Sequence, residues 1–170
     1  MAKNSFFLRA QVNAQDDGSF YETEIDLGSY TNLGSSKPEV LRIHEIQAFV
    51  HDSDGEVPNM SGDKADTATW QLTTQSQSDL VTPLDDSYVA GAMGAWRNPD
   101  SETFPPSQSF VQQLLAQDWQ NGYVVAVPSL FLGGLTGSNW AEDVYVSLIM
   151  ECTTEPMSKA NAVALAVSQQ

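Results

Sequence analysis

The stretch from Asp143 to Cys152, DVYVSLIMEC, decides how the rest of the chain is read. Val144, Val146, Leu148, Met150 and Cys152 share one parity, while Asp143, Ser147 and Glu151 fall on the other. Successive side chains of an extended strand point to opposite faces, so a two-residue rhythm predicts a strand with one dry and one wet face. The same rhythm recurs at the start of the chain. Phe6, Leu8, Ala10 and Val12 alternate with Phe7, Arg9 and Gln11, up to a turn at Asp16, Asp17 and Gly18. Tyr21, Thr23, Ile25 and Leu27 then oppose Glu22, Glu24 and Asp26, which predicts a strand with an acidic, solvated outer face.

Between these ends the pattern varies. Gly28 to Pro38 is a loop rich in Gly, Ser and Asn. Over Val40 to Val50 apolar residues occupy both parities, which means either that both faces are covered or that a bulge shifts the phase. Asp52 to Asp66 is a polar connection, followed by Ala68, Trp70 and Leu72 in strand alternation. Val89 to Trp96 is a further strand in which Gly91 and Gly94 indicate close backbone packing, and Arg97 to Pro106 is a Pro-rich loop. Ser107 to Trp119 carries Phe110, Val111, Leu114 and Leu115 at three- to four-residue spacing, with Ser107 or Ser109 placed to cap it and Gly122 to end it; this predicts one short helix. Tyr123, Val125 and Val127 open another strand, and Gly133 to Asn139 turn the chain. The small apolar tail from Ala160 to Val167 reads as an edge strand or as an arm docking on a neighbour. With no repeat or linker to divide it, residues 1–170 are expected to form a single all-β domain of about eight antiparallel strands in two sheets.

Composition narrows the partners. Asp and Glu number 22 against 7 Lys plus Arg, a net charge of −15. Direct nucleic-acid binding is disfavoured, because counterion release needs a cationic stripe. Self-repulsion of this size is tolerable where salt shortens the Debye length to a few ångströms, which points to a saline setting; an ordinary acidic protein is the competing reading. Cys152 is the single cysteine, and its alternation with Val146 and Met150 predicts a buried, inert thiol. Arg9 interrupts the only apolar stretch near Met1, so no secretory signal is expected, and Pro128, Gly133 and Gly134 break the longest apolar run well short of a bilayer span.

No nucleophile elbow, zinc-protease, phosphate-loop or paired-cysteine pattern occurs, so no catalytic residue is assigned and the chain is not expected to be an enzyme. His44 and His51, seven positions apart on an extended chain, are expected on opposite faces. The sharpest local feature is His51-Asp52-Ser53-Asp54-Gly55-Glu56, whose alternate carboxylates before a Gly resemble part of a calcium loop. Asp52, Asp54 and Glu56 are therefore the candidate ligands of a divalent cation such as Ca2+; no other cofactor is expected. The flanking helices and the distant bidentate Glu are missing, and the same residue types build a plain surface turn. Asn59-Met60-Ser61 fits a glycosylation sequon by a short pattern. Trp70 is in phase with core residues, whereas Trp96, Trp119 and Trp140 lie at element ends and suit either core edge or contact surface.

The order of elements carries a resemblance. LRIHEIQAFV (41–50), ATWQLTTQ (68–75), LDDSYVAGAMGAW (84–96), GYVVAVPSLFLGG (122–134) and EDVYVSLIMECTT (142–154) follow an N-terminal strand and its acidic partner. In that order the chain resembles a single jelly-roll capsid protein, and more narrowly the small major capsid proteins of the membrane-containing icosahedral viruses of haloarchaea and Thermus, the sphaerolipovirus-like group. The resemblance is one of pattern and order over nearly the whole chain, without a signature motif. It implies a jelly-roll sandwich standing upright in a shell that encloses a membrane, built from copies of this chain and a second, related capsid chain, with membrane proteins as indirect partners and the virion as location. The 97–122 segment departs from that plan. A secreted or cell-surface β-sandwich module binding glycan or protein, through its Trp residues and the Asp52 to Glu56 turn, is the competing reading.

Overall fold

The computed structural model describes residues 4–98 and 107–170. Among them run nine strands: β1 (Phe6–Gln15), β2 (Phe20–Asp26), β3 (Glu39–His51), β4 (Ala65–Thr73), β5 (Tyr88–Arg97), β6 (Ser107–Leu114), β7 (Tyr123–Val125), β8 (Ser129–Thr136) and β9 (Val144–Pro156). A 3-10 turn spans Ala116–Asp118, and a helix, α1, spans Lys159–Ser168.

One sheet has the order β1-β9-β3-β7 and the other β2-β8-β4-β5-β6. All the pairings are antiparallel, and they nest: β1 pairs with β9, β2 with β8, β3 with β7 and β4 with β5. Setting β6 aside, this is one long hairpin of four strands out and four back, rolled so that its strand pairs alternate between two sheets. That winding is the jelly roll. The sixth strand is an addition along the free side of β5.

The two-residue rhythm is the one the core uses. Val144, Val146, Leu148, Met150 and Cys152 are all buried, and the intervening residues of β9 face outward. With Leu41, Ile43 and Ile46, the side chains of Val146, Leu148, Met150 and Cys152 meet Trp70, Leu72, Leu130 and Leu132 of the other sheet in one cluster, while Val144 packs with Met60, Ala68 and Trp140 in a second. Each such side chain contributes roughly 1.5–3 kcal/mol on burial. The double phase of β3 has two causes. Val40 is buried on the outer face, against Ala126 and against Ala162 of α1. Ile43 lies opposite Cys152 and Glu45 opposite Glu151, so His44 is an extra residue in a bulge and the inward parity changes from Leu41 and Ile43 to Ile46, Ala48 and Val50.

Three expectations are corrected. Gly133 and Gly134 do not turn the chain but lie inside strand β8, paired with Glu22 and Tyr21 of β2 on one side and Gln71 and Trp70 of β4 on the other. No helix occupies 107–119: Ser107–Leu114 is strand β6, and only Ala116–Asp118 turn helically. Val111 and Leu114, three residues apart, satisfy a helical spacing, but they equally fall on opposite faces of a strand. The unpaired edge of β5, made flat by Gly91, Ala92, Gly94 and Ala95, recruits this segment through seven registered pairs. The tail is neither edge strand nor free arm but α1, in which alternating alanines with high helix propensity follow an N-cap: the Ser158 hydroxyl accepts a hydrogen bond from the Asn161 amide. Of the expected Pro-rich loop, residues 99–106 lie outside the described residues.

Candidate interaction surfaces

The Asp52 turn is built from its carboxylate inward. Asp52 is 7% exposed. Its Oδ1 accepts hydrogen bonds from the backbone amides of Asp54 (2.9 Å) and Glu56 (2.8 Å), and its own amide donates to the Glu56 carbonyl (2.9 Å). Gly55 closes the turn at φ +85, a left-handed conformation open to glycine. Asp52 is thus engaged with its own loop, while Asp54 and Glu56 are exposed. Among the described residues no group of three or more His, Cys, Asp or Glu side chains is gathered as metal ligands.

The two histidines are not on opposite faces, as their spacing predicted. The bulge at His44 turns both outward over β9. His44 Nε2 hydrogen-bonds with the Thr153 hydroxyl at 2.8 Å, and His51 Nε2 with the Ser147 hydroxyl at 2.7 Å. The His51 ring stacks on Tyr145 and its Nδ1 donates to the Asp52 carbonyl (2.6 Å), so in the neutral ring Nε2 accepts from Ser147. Seven residues of strand still separate the rings by roughly 20 Å, too far to share a ligand.

The tryptophans divide. Trp70 and Trp140 are buried, and Trp96 packs edge-on against Trp140 at 5.8 Å. Trp119 is 50% exposed. It borders a polar groove of about 500 Å³ with Arg42, His44, Gln117, Gln120 and Asn121. Arg42 grips Glu155 with two hydrogen bonds, of 2.6 and 2.9 Å, and donates a third to the Asn121 carbonyl. That carboxylate raises the guanidinium's pKa, so Arg42 stays charged throughout ordinary conditions. Asn59 is exposed and both its amide nitrogens donate to Glu142. Cys152 is fully buried, which pushes its thiol up to about 12 and leaves it protonated and unreactive.

The sheet edges have distinct covers. The outer side of β7 is occupied by the C-terminal residues: Gln169 Oε1 accepts from the Ala126 amide (2.9 Å), its Nε2 donates to the Val124 carbonyl (2.7 Å), and its carbonyl accepts from the Thr74 hydroxyl (2.6 Å). A side-chain amide here imitates a strand, a device that the sequence did not disclose because Gln169 lies in no motif.

The fold and its surfaces define a jelly-roll sandwich with one added strand and one helix latched to an edge. No protein-family model matches the chain, and neither does any curated protein. Among solved structures it is similar to the VP1 protein of Trichodysplasia spinulosa-associated polyomavirus in complex with GM1 oligosaccharide, at a TM-score of 0.54 and 7% identity over 92% of this chain and 97% of that one. New Jersey polyomavirus VP1 matches at 0.52 and 5% identity over 91% and 100% of the two chains, and a Merkel cell polyomavirus virus-like particle at 0.51 and 7% over 92% and 76%. At such identities the likeness is one of fold: a jelly roll of the kind found in viral capsid proteins.

Proposed function

We propose that the chain is a structural subunit of an icosahedral virus shell, acting by self-association and not by chemistry. The observation that carries this reading is the nested pairing of β1 with β9 through β4 with β5, a jelly roll matched along more than nine-tenths of the chain by VP1. In one of those neighbours the protein forms a virus-like particle. A rigid sandwich whose loops and edges meet copies of itself is a sound shell unit, since closed symmetry lets one surface serve many contacts. Residues 1–170 act as one domain in this reading. Its acidity supports the narrower placement among shells of saline habitats that enclose a membrane, with a second related chain as partner and the virion as location. A divalent cation bridging copies would meet the exposed Asp54 and Glu56, Asp52 being committed to its turn.

The test is size-exclusion chromatography in molar salt followed by negative-stain imaging. Rings or closed particles are expected; a strict monomer at high concentration contradicts the proposal. The second reading, a glycan-binding module, is favoured by the exposed Trp119 beside planar polar side chains, and it predicts a monomer whose Trp119 fluorescence responds to sugar.

A further inference from the structure

β9 flanks β3 along its whole length, but β7 flanks its other side only across Leu41–Ile43. Gly122, at φ +66, turns the chain aside where a Cβ would collide with the Ile43 carbonyl, and the row beyond is left open. On that edge the Ile46 amide donates to Gln117 Oε1 (3.0 Å) and its carbonyl accepts from Gln117 Nε2 (2.9 Å). Further along, the Asp52 amide is bonded to Glu56. Between these two plugs, the alternation of an antiparallel ladder aims the N–H and C=O groups of Ala48 and Val50 the same way. No described residue pairs with them there.

These four groups form one wall of a cleft of about 730 Å³, opposite Trp96, Val111 and Gln113 on the inner face of β5 and β6. Leu115 bounds the Gln117 end, and Val57 lies toward the Asp52 turn. Val57 and Val111 are about half exposed, so apolar surface faces water here. We infer that the cleft takes up one extended peptide strand from a partner chain, antiparallel to β3, with apolar side chains at alternate positions and a Lys or Arg at its N-terminal end. Three features select this occupant. Alternating N–H and C=O groups are matched by a peptide backbone. The opposing sheet, about 10 Å away, overhangs the row and leaves no space for the second layer of a neighbouring sandwich. Charge decides the rest: among the described residues no Lys or Arg lines the cleft, and exposed Asp54 and Glu56 stand at the Val50 end, where the N-terminus of an antiparallel strand falls. The inference is independent of the shell reading, since any partner strand of this chemistry suffices.

The experiment uses the 15N-labelled full chain with the peptide acetyl-Lys-Val-Thr-Val-Thr-Val-amide, and with the same peptide N-methylated at alternate residues. Amide exchange at Ala48 and Val50 is expected to slow by about tenfold or more with the first peptide, while Gln47 and Phe49, already paired with β9, do not change. The methylated peptide is expected to slow exchange at neither Ala48 nor Val50. Val111→Glu should weaken binding about tenfold, and Ala48→Pro, which removes an amide that bonds nothing in the free chain, should abolish it with the far-ultraviolet spectrum retained. Lack of protection at millimolar peptide, or equal binding of the methylated form, overturns the inference. So does a concentration-dependent dimer of the free chain that protects the same two amides, which would assign the cleft to a second copy.

Discussion

Asp52 shows how one residue type serves two chemistries. In the sequence it is the first carboxylate of a cation-loop fragment; in the fold its Oδ1 holds two backbone amides and closes the connection after β3. Bonds to a charged acceptor contribute about 1.5–3 kcal/mol each, but the amides of the exposed Asp54 and Glu56 regain water once the carboxylate is gone, so Asp52→Ala should cost about 2 kcal/mol in total, and Asp52→Asn, which keeps a neutral acceptor, roughly half. In thermal melts that is a drop of roughly 4–8 °C for a chain of this size. Asp54→Asn and Glu56→Gln, exposed and acting through their backbone amides, should leave the midpoint unchanged. A midpoint that falls equally in Asp52→Asn, Asp54→Asn and Glu56→Gln would show that the carboxylates act together and not through the turn. Cys152 is the opposite case, a residue whose alternation alone announced its burial and its silence.

Elements were legible where local and tertiary demands agree. In β9 and β4 the apolar parity is the buried one, because each is flanked by strands on both sides and packs on the other layer; in the edge strand β1 the same parity is half-buried at Phe6, Leu8 and Ala10 and fully buried only at Val12 and Ala14. The bulge in β3 was visible as a change of phase but not as a position, since only the pairing with β9 shows that His44 is the extra residue. That same missing residue count misplaced the faces of the two histidines. β6 was illegible for a different reason: its strand state depends on the open edge of β5, a long-range condition that a helical spacing within 107–119 cannot express. Of the candidate site residues, the sequence marked the Asp52 turn and Trp119, but it could not mark the cleft along β3, which exists only because β7 stops early. The latch of α1 was likewise hidden. Gln169→Ala would leave the buried Ala126 amide without its acceptor, and a cost of about 1–3 kcal/mol is expected. Removal of residues 157–170 should do more, exposing Val40, Ala126 and the outer edge of β7, and light scattering should show aggregation below the melting point. If the truncated chain stays clear and melts as the full chain does, α1 is an ornament and not a cover.

At the scale of the whole molecule, charge is the dominant unbalanced term. With 22 acidic and 7 basic side chains, most carboxylates lack a cation; β2 presents Glu22 and Glu24 to hydroxyls and amides at Ser76, Gln77 and Ser129. The Debye length shrinks from about 10 Å at 0.1 M salt to about 3 Å at 1 M, so the repulsion is long-ranged in dilute buffer and nearly local in molar KCl. The melting temperature should therefore rise steadily with KCl, and an equal rise with NaCl at the same ionic strength would identify screening as the cause. Lowering the pH tests the same term from the other side. As pH falls from 7 toward about 5 in dilute buffer, carboxylates begin to protonate and the repulsion eases, so stability should increase. Below about 4 the trend should reverse. Asp17, held below its ordinary 3.8 mainly by the Tyr21 hydroxyl, and Asp85, held below it by Ser87, stabilise the fold fully above that value and lose their contribution as pH falls through their lower folded values. In molar KCl the rise between pH 7 and 5 should vanish while the loss at low pH persists, because short hydrogen bonds are screened far less than distant charges. A melting temperature that is flat in salt and falls monotonically from pH 7 would mean that the surface charges are already balanced by local contacts, and the argument for a saline habitat would lose its physical basis.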